Sequence, residues 1–478
     1  MTRDTTPPQP AASTVLPEPQ AWRAMIALSL GFFISLLDQT MVAVALPAIA
    51  VDMGATLNQA MWVSSIYLLA VVVPLLFTGR LGDIYGQRLM FRLGVGLFAL
   101  GALLCALAPG IEWLIAARAV QGLGAAIQMP QTMSVINRVF ARERRGRALG
   151  VWGIVGSLAS LTGPVAGGLM VSLVGWHGVF WLHLPFAAAA IYLATRWVPK
   201  LPTVARAIDA TSAAVSLLSM AAIVFAIQQG PELGWRWWIW ALLAVGIAGL
   251  CLFARLQVTA RRRGTEPLIP PELFADRNYR LGVASISSMG FMAAAMMLPM
   301  MMWMQDVQGL PANQAGLIVV PMAVVSMLVT PFAGILVDKL HPRALSQFGF
   351  AVSLGAFVIA WWVMLSGQAP AWLALPLGLL GLGQSFIWGT NSATSMRDLP
   401  ATLMGAASGA YNTARQVGSV IGVAVVSAAM QAGQVAFGLG AGLAHSFWAI
   451  IAALAVGLVT VSFFRDTLHG GAAEAKRR

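Results

Sequence analysis

The sequence predicts an all-α polytopic membrane protein with fourteen transmembrane helices. Of 478 residues, 59% are hydrophobic and 10% charged, against ~25% charged in a typical soluble domain. A chain so poor in charge cannot cover its surface against water. Apolar stretches recur from residue 22 to residue 464. They are long enough for helices of ~20 residues to cross a bilayer and far longer than barrel strands. Basic residues cluster between alternate stretches, which is the pattern of loops held on one side of a membrane.

The fourteen segments run over 24–47, 60–78, 90–108, 113–136, 148–171, 179–197, 210–228, 237–255, 280–303, 314–336, 345–366, 371–393, 407–430 and 443–464. An even number puts both termini on one side. Arg118 and Arg415 lie inside helices 4 and 13, and Arg236 alone falls in the second set of loops. All the other Lys and Arg residues fall in the tails, in loops 2–3, 4–5, 6–7, 8–9, 10–11 and 12–13, or at their helix ends. Both termini are therefore expected in the cytoplasm, with the helices in the inner membrane. The net charge of +12 is dispersed among these loops, which argues against nucleic acid as a partner. Arg261, Arg262 and Arg263 sit in the longest such loop and read as a topology determinant, with anionic headgroups as the alternative. Cys105 and Cys251 fall inside apolar runs, so no disulfide framework is expected. The polar, Pro-rich residues 1–22 read as a disordered tail rather than a signal peptide, because the run that follows is too long and contains Asp38.

An internal repeat organises the rest. Loop 2–3 reads GRLGDIYGQR from Gly79 to Arg88, and loop 10–11 reads GILVDKLHPR from Gly334 to Arg343. Both place Gly first, Leu third, Asp fifth and Arg tenth, with Asp83 and Asp338 in the matching acid position. Helix 2 thus maps onto helix 10. The offset gives two six-helix bundles related by a parallel repeat, spanning 23–200 and 280–466. Between them lies an inserted helix pair with its linker at 201–279, and 467–478 form a second tail.

Four segments of the first half carry a resemblance. They are LDQTMVAVALP from Leu37, GRLGDIYGQR from Gly79, RAVQGLGAA from Arg118 and GVWGIVGSLASLTGPVAGG from Gly150 to Gly168. In this order they resemble the major facilitator superfamily, and within it the fourteen-helix drug:proton antiporters of the EmrB/QacA type. The resemblance spans nearly the whole chain. It implies the major facilitator fold and export of amphipathic small molecules (drugs, antibiotics or natural products) in exchange for protons, with no cofactor. Two positions depart from the pattern: Ala159 stands where helix 5 usually has Gly, and Ala43 where helix 1 usually has Asn. The second departure removes a polar group near the expected cavity.

Elementary chemistry agrees with these roles. Asp38 is the only acid deep inside an apolar run. A charge at the bilayer centre costs at least ~2.5–3.5 kcal/mol, so a carboxyl there is a candidate to load and release a proton. Arg118 is the one basic residue in the middle of a helix. Its guanidinium does not deprotonate, so it can bias a carboxylate but not carry the proton; Gln121 shares its face. The resemblance assigns Arg118 a part in coupling. Structural alternatives remain open for both: an Asp bonded to a neighbouring helix, or an Arg tied to backbone carbonyls. In loop 2–3, Gly79, Gly82 and Gly86 are expected to permit a tight turn. Asp83 is expected near the N-terminus of a helix from the other half, gating the cytoplasmic side in the outward-open state. Arg88, Asp338 and Arg343 complete that gate. Gly163, Gly167 and Gly168 leave room for close packing, and Pro164 frees a backbone bond. Gly150 opens the same motif.

By the family plan, helices 1, 4, 9 and 12 line the cavity. Helix 9 carries MAAAMMLPMMMWMQ from Met292 to Gln305, including Met297 and Trp303. Met side chains adapt to varied apolar ligands, although any one of them could instead face lipid. Helix 12 offers Gln384, Trp388 and Asn391. The five His residues are scattered and no metal-ligand or nucleophile spacing appears, which argues against an enzyme. No selectivity-filter segment suggests a channel. An importer of a small metabolite on the same fold is the remaining alternative. Some Gram-negative relatives work with a periplasmic adaptor; no segment here marks a contact with one.

Overall fold

The computed structural model describes residues 15–140, 145–203, 209–263, 265, 267–337, 340–400 and 403–465. They form fourteen spanning segments: α1 Glu18–Asp52, α2 Leu57–Tyr85, α3 Gln87–Ala106, α4 Ile111–Val139, α5 Arg145–Val174, α6 His177–Trp197 and α7 Ala210–Gln229. There follow α8 Trp237–Thr259, α9 Arg277–Val307, α10 Ala312–Val337, α11 Pro342–Leu365, α12 Pro370–Met396, α13 Met404–Phe437 and α14 Leu439–Val461. No strand occurs among the described residues. Eleven of the segments are long and apolar enough, as described, to cross a membrane. In α2 and α5 the apolar part is shorter, Leu57–Val72 and Thr162–Val174. α4 is diluted by Arg118, Gln121, Gln128 and Gln131, all of them buried in the protein.

Local signals start and stop these helices. Thr56 opens α2 with a reciprocal capping box to Gln59. Asp276 opens α9 by accepting from the Tyr279 amide at 2.7 Å. Asp209 opens α7, accepting from the Ser212 amide at 3.0 Å and its hydroxyl at 2.6 Å, with Arg263 at 3.3 Å. Burial alone would raise the Asp209 pKa; the Ser212 bonds and Arg263 together hold it below the ordinary carboxylate value. Arg263, read above only as part of a basic run, thus ties the linker to the start of α7. Inside α9 the chain breaks at Met296 and resumes through Met297–Met302 into a wide turn at Trp303–Val307, next to Pro299, which has no amide hydrogen to donate.

The turn after α2 is tighter than the sequence suggested. α2 runs through Gly79 and Gly82 and ends at Tyr85, so Gly86 alone makes the turn, at φ +93°. Gly82 lies against the Gln131 side chain of α4, and a Cβ there would overlap it. Gly79 meets only ordinary contact, with Pro130 at 3.6 Å. The expected three-glycine turn is therefore one turn glycine, one packing glycine and one with room to spare.

The packing follows the repeat. In the first half α4 packs on α2 and α3, and α1 on α5; in the second α12 packs on α10 and α11, and α9 on α13. An offset of eight helices converts one set into the other. Across the halves α2 packs on α13 and α5 on α10, two contacts the same offset exchanges. The molecule is thus two six-helix bundles with an inserted pair, the major facilitator arrangement. α7 lies over the α2–α13 seam, and α8 packs mainly on α7.

One face of the bundle carries the helix ends rich in Arg and Lys, such as Arg88, Arg138, Arg196 and Arg277. The cross-bundle hydrogen bonds among the described residues lie near the other, far face. There Gln305 Nε2 donates to the Val44 carbonyl at 3.0 Å, and Gln431 Nε2 to Asn58 Oδ1 at 3.3 Å. Asn58 also donates to Gln229 at 2.5 Å and to Glu232, so α2, α7 and α13 meet in one polar knot. Beside it α5 and α10 touch backbone to backbone. A Cβ on Gly168 would lie 2.5 Å from the Ala312 carbonyl oxygen, and one on Gly316 would lie 2.5 Å from that of Pro164. A cleft of about 430 Å³ opens above this contact, lined by Val51, Asp52, Ser172 and Asp306 among others. Gly168→Val is therefore expected to cost ~1–3 kcal/mol through overpacking. It should lower the melting temperature in detergent and raise maleimide labelling of Ser172→Cys in the cleft. Unchanged values for both would show that the seam yields freely.

Candidate functional site

Helices α1, α2, α4 and α6 meet around Asp38, Arg118, Gln121 and His183, and each of these four side chains is at most 1% exposed. Arg118 Nη1 donates to Asp38 Oδ2 at 2.6 Å and to Gln121 Oε1 at 2.6 Å. Gln121 Nε2 returns a bond to Asp38 Oδ1 at 2.9 Å. Arg118 and Gln121, one turn apart on α4, therefore hold both carboxylate oxygens. Arg118 Nε donates to the Val63 carbonyl of α2 at 3.1 Å, and its guanidinium stacks over the Tyr67 ring at 4.2 Å. The Tyr67 hydroxyl donates to the Ser35 carbonyl of α1 at 3.2 Å, and the Cys105 thiol of α3 points at Gln121 Oε1 from 3.8 Å. His183 Nε2 lies 3.7 Å from Asp38 Oδ1. The three residues expected to act together do meet. His183 is the member the sequence reading set aside, because no linear spacing relates position 183 to position 38.

The helix 5 motif lies directly behind this group. Gly163 sits under Thr40 and Gly167 under the Met41 backbone, 3.0 Å from where its Cβ would be. The same stretch then reaches α10 through Pro164 and Gly168. The turn of α1 that carries Asp38 is thus packed on glycines whose neighbours form the seam between bundles. Gly150 lies earlier in α5.

Asp83 does not face the second bundle in this conformation. It accepts from Arg138 Nη2 at 2.6 Å and from Gln87 Nε2 at 3.1 Å, both in its own bundle. Arg88 donates to the Thr195 carbonyl of α6. Arg343 is exposed near the start of α11, and Asp338 lies outside the described residues.

In the second bundle, Asn391 of α12 accepts from Ser285 Oγ at 2.7 Å, and donates to the Tyr411 hydroxyl at 2.9 Å and the Gly282 carbonyl at 3.2 Å. It is fully buried and its amide is committed to its own bundle. Trp388 and Gln384 are half-buried; the Gln384 amide meets only the Met296 and Met322 sulfurs, both at 4.0 Å. Arg415 of α13 places its guanidinium 5.8 Å from the centre of the Trp388 ring. The methionines from Met292 to Met304 are all buried in protein, as is Trp303.

Comparison with known proteins agrees with this architecture. The family model described as Major Facilitator Superfamily matches residues 28–423. An uncharacterized MFS-type transporter of Mycobacterium tuberculosis, Rv1250, is 40% identical over 411 residues, covering 86% of this chain and 70% of its own. The multidrug resistance protein Stp from the same species is 31% identical over 412 residues, covering 85% of this chain and 75% of its own. A crystal structure of a D-xylose-proton symporter superposes with a TM-score of 0.67 at 13% identity, covering 93% of this chain and 98% of that one; it shares the fold. The chain belongs to the major facilitator superfamily: it is a multi-pass membrane transporter.

The buried ion pair has a testable energetic signature. Arg118→Met would leave Asp38 charged and unpaired, at a cost of ~3–5 kcal/mol. Adding Asp38→Asn removes that charge, so the double variant is expected to melt above Arg118→Met alone. A double variant that melts at or below the single one would show that Arg118 acts by packing.

Proposed function

We propose that this transporter is a fourteen-helix drug:proton antiporter of the EmrB/QacA type, exporting amphipathic small molecules in exchange for protons by alternating access. The observation that carries this reading is the buried Asp38 carboxylate, held between Arg118 and Gln121. A carboxylate at that depth is stable when its charge is answered, by the guanidinium, by a cationic ligand or by a proton. Arg118 cannot give up its proton, so on this reading Asp38 is the member of the pair that carries one. When it takes a proton its pull on Arg118 and Gln121 weakens. The change passes along α1 to Thr40 and Met41, through the glycines of α5, and into the α5–α10 seam. The resistance function in the name of Stp, at 31% identity, supports export over import of a metabolite.

By the positive-inside rule the Arg- and Lys-rich face is cytoplasmic, which puts both termini there and the seam on the outer side of the inner membrane. Bundle limits of 23–200 and 280–466 fit that scheme. Asp83 is then a gate residue that leaves Arg138 when the cytoplasmic side closes and turns to a helix end of the other bundle. Arg88, Arg343 and Asp338 belong to the same pair of loops.

Asp38→Asn is expected to abolish uphill efflux from energised vesicles while leaving folding and membrane insertion intact. Undiminished uphill transport by that variant would sink the exchange reading. An importer would respond to an imposed proton gradient in the opposite direction.

The charges near the cavity also limit the substrate. Asp38 is the single acid deep inside an apolar run of the sequence, and Arg415 places a cation beside Trp388 in the second bundle. Exporting one positive charge against an inside-negative potential costs ~2.3 kcal/mol per 100 mV, whereas exchanging one proton for one monovalent cation is electroneutral. Monocationic, zwitterionic or neutral amphipathic substrates are therefore expected, bound by Trp388, Gln384 and adjoining methionines. In cells expressing the protein, a monocationic dye should be exported at least several-fold better than its biscationic homologue. Equal or better export of the biscation would place a second acid within reach of the ligand.

A further inference from the structure

We propose that His183 is a second proton-handling group of the coupling site, which shares the transported proton with Asp38. The proposal rests on the exchange reading above and assigns part of it to a residue outside the Asp38–Arg118–Gln121 set. His183 is fully buried, and neither ring nitrogen closes a hydrogen bond. Unpaired buried polar atoms are costly and rare. Here Nε2 of an imidazole is unpaired beside a carboxylate. Nε2 lies 3.7 Å from Asp38 Oδ1, and the backbone of Val179 and Phe180 on its own helix lies beside the ring. The Phe98 ring of α3 meets the imidazole edge-on at 5.6 Å between centroids and walls it from the other side.

The surrounding groups leave His183 this role. The titratable and charged side chains facing it are Asp38 from α1 and Arg118 from α4, with Tyr67 of α2 and Cys105 of α3 behind them. α5 carries no titratable residue beyond Arg147. A carboxylate offers about four acceptor directions. Arg118 occupies one on Oδ2 and Gln121 one on Oδ1, which leaves Oδ1 free toward the ring. A neutral imidazole presenting Nε2 as an acceptor meets like with like there. Once Nε2 takes a proton, its N–H points at Oδ1 and a rotamer adjustment of under 1 Å would close the bond.

The proton balance is simple. One proton enters from the face that is open. It resides on Nε2 as imidazolium, hydrogen-bonded to the Asp38 carboxylate, or on Asp38 Oδ1, hydrogen-bonded to the neutral ring. In either form the site gains one positive charge and Arg118 keeps its own. On release the same proton leaves and the site returns to a neutral imidazole beside the Asp38–Arg118 pair. Imidazole is the side chain whose charge ordinarily changes between about pH 5 and pH 8. Sharing the proton lets the site load it while Arg118 retains its hold on Oδ2.

The test uses the full-length protein with His183→Gln, which keeps a polar side chain without a titratable group. Substrate counterflow, which moves no net proton, is expected to persist. Proton release on substrate addition, read with an indicator dye in weak buffer, should fall at least about twofold, and the pH midpoint of gradient-driven efflux should move by about one unit. Release and pH profile both superimposable on the parent would overturn the proposal. If His183→Gln does not insert, nitrogen-15 histidine spectra of the parent and of Asp38→Asn decide. One imidazole whose titration moves when Asp38 is neutralised supports sharing; all histidines titrating identically in the two proteins refutes it. Loss of uphill transport in Asp38→Asn with an unchanged His183→Gln profile rejects His183 alone, whereas full uphill transport in Asp38→Asn rejects the exchange reading and this inference with it.

Discussion

The first bundle depends on one guanidinium. Arg118 bonds Asp38 of α1, the Val63 carbonyl of α2 and Gln121 of its own helix, and lies over Tyr67. Three helices therefore converge on a charge that cannot be discharged. Taking a carboxylate and a guanidinium out of water costs several kcal/mol for each ion. The pair is held there by the guanidinium's bonds to Asp38, Gln121 and the Val63 carbonyl and by the Gln121 amide on the second carboxylate oxygen. A site so balanced is sensitive to a single proton, since removing the negative charge unbalances a group that spans three helices.

The seam between the bundles lies close behind that group. Small residues let α5 lie against α1 on one side and α10 on the other, with no long side chains to absorb a shift. The Asp38 turn and the seam are therefore joined through tightly packed backbone. The second bundle has the same arrangement of helices but a different centre. Ser285, Asn391 and Tyr411 form a neutral, hydrogen-bonded cluster there. The halves are alike in packing and differ at their centres: the first holds an ion pair, the second a neutral Ser285–Asn391–Tyr411 cluster.

Much of this was legible in the sequence, because composition and the alternation of basic loops act on the whole chain at once. The fourteen spans, the repeat and the parallel bundles follow from them. Helix ends were less legible: α2 continues through Gly79 and Gly82 because glycine in a membrane helix need not stop it when a neighbour packs against the gap. The stretch from Met292 to Gln305 is apolar on every side, so periodicity could not distinguish lipid from protein, and the structure buries all of its methionines. Asp38 and Arg118 stood out as isolated charges in apolar runs. His183 did not, since a histidine near a helix start is unremarkable until folding brings a carboxylate beside it. Asp83 was legible as a gate candidate, but its pairing with Arg138 belongs to one conformation and no linear pattern encodes a conformation.

The inserted pair has a mechanical consequence. α8 packs mainly on α7, and 11% of its apolar window is buried, so Trp240, Val245 and Ile247 look outward into the acyl chains. α7 in turn is fastened to both bundles at the polar knot around Asn58. The pair is built like an outrigger, with a float in the lipid and a strut across the joint. Thickness or lateral pressure of the bilayer, acting on that float, therefore bears on one of the two contacts that join the bundles.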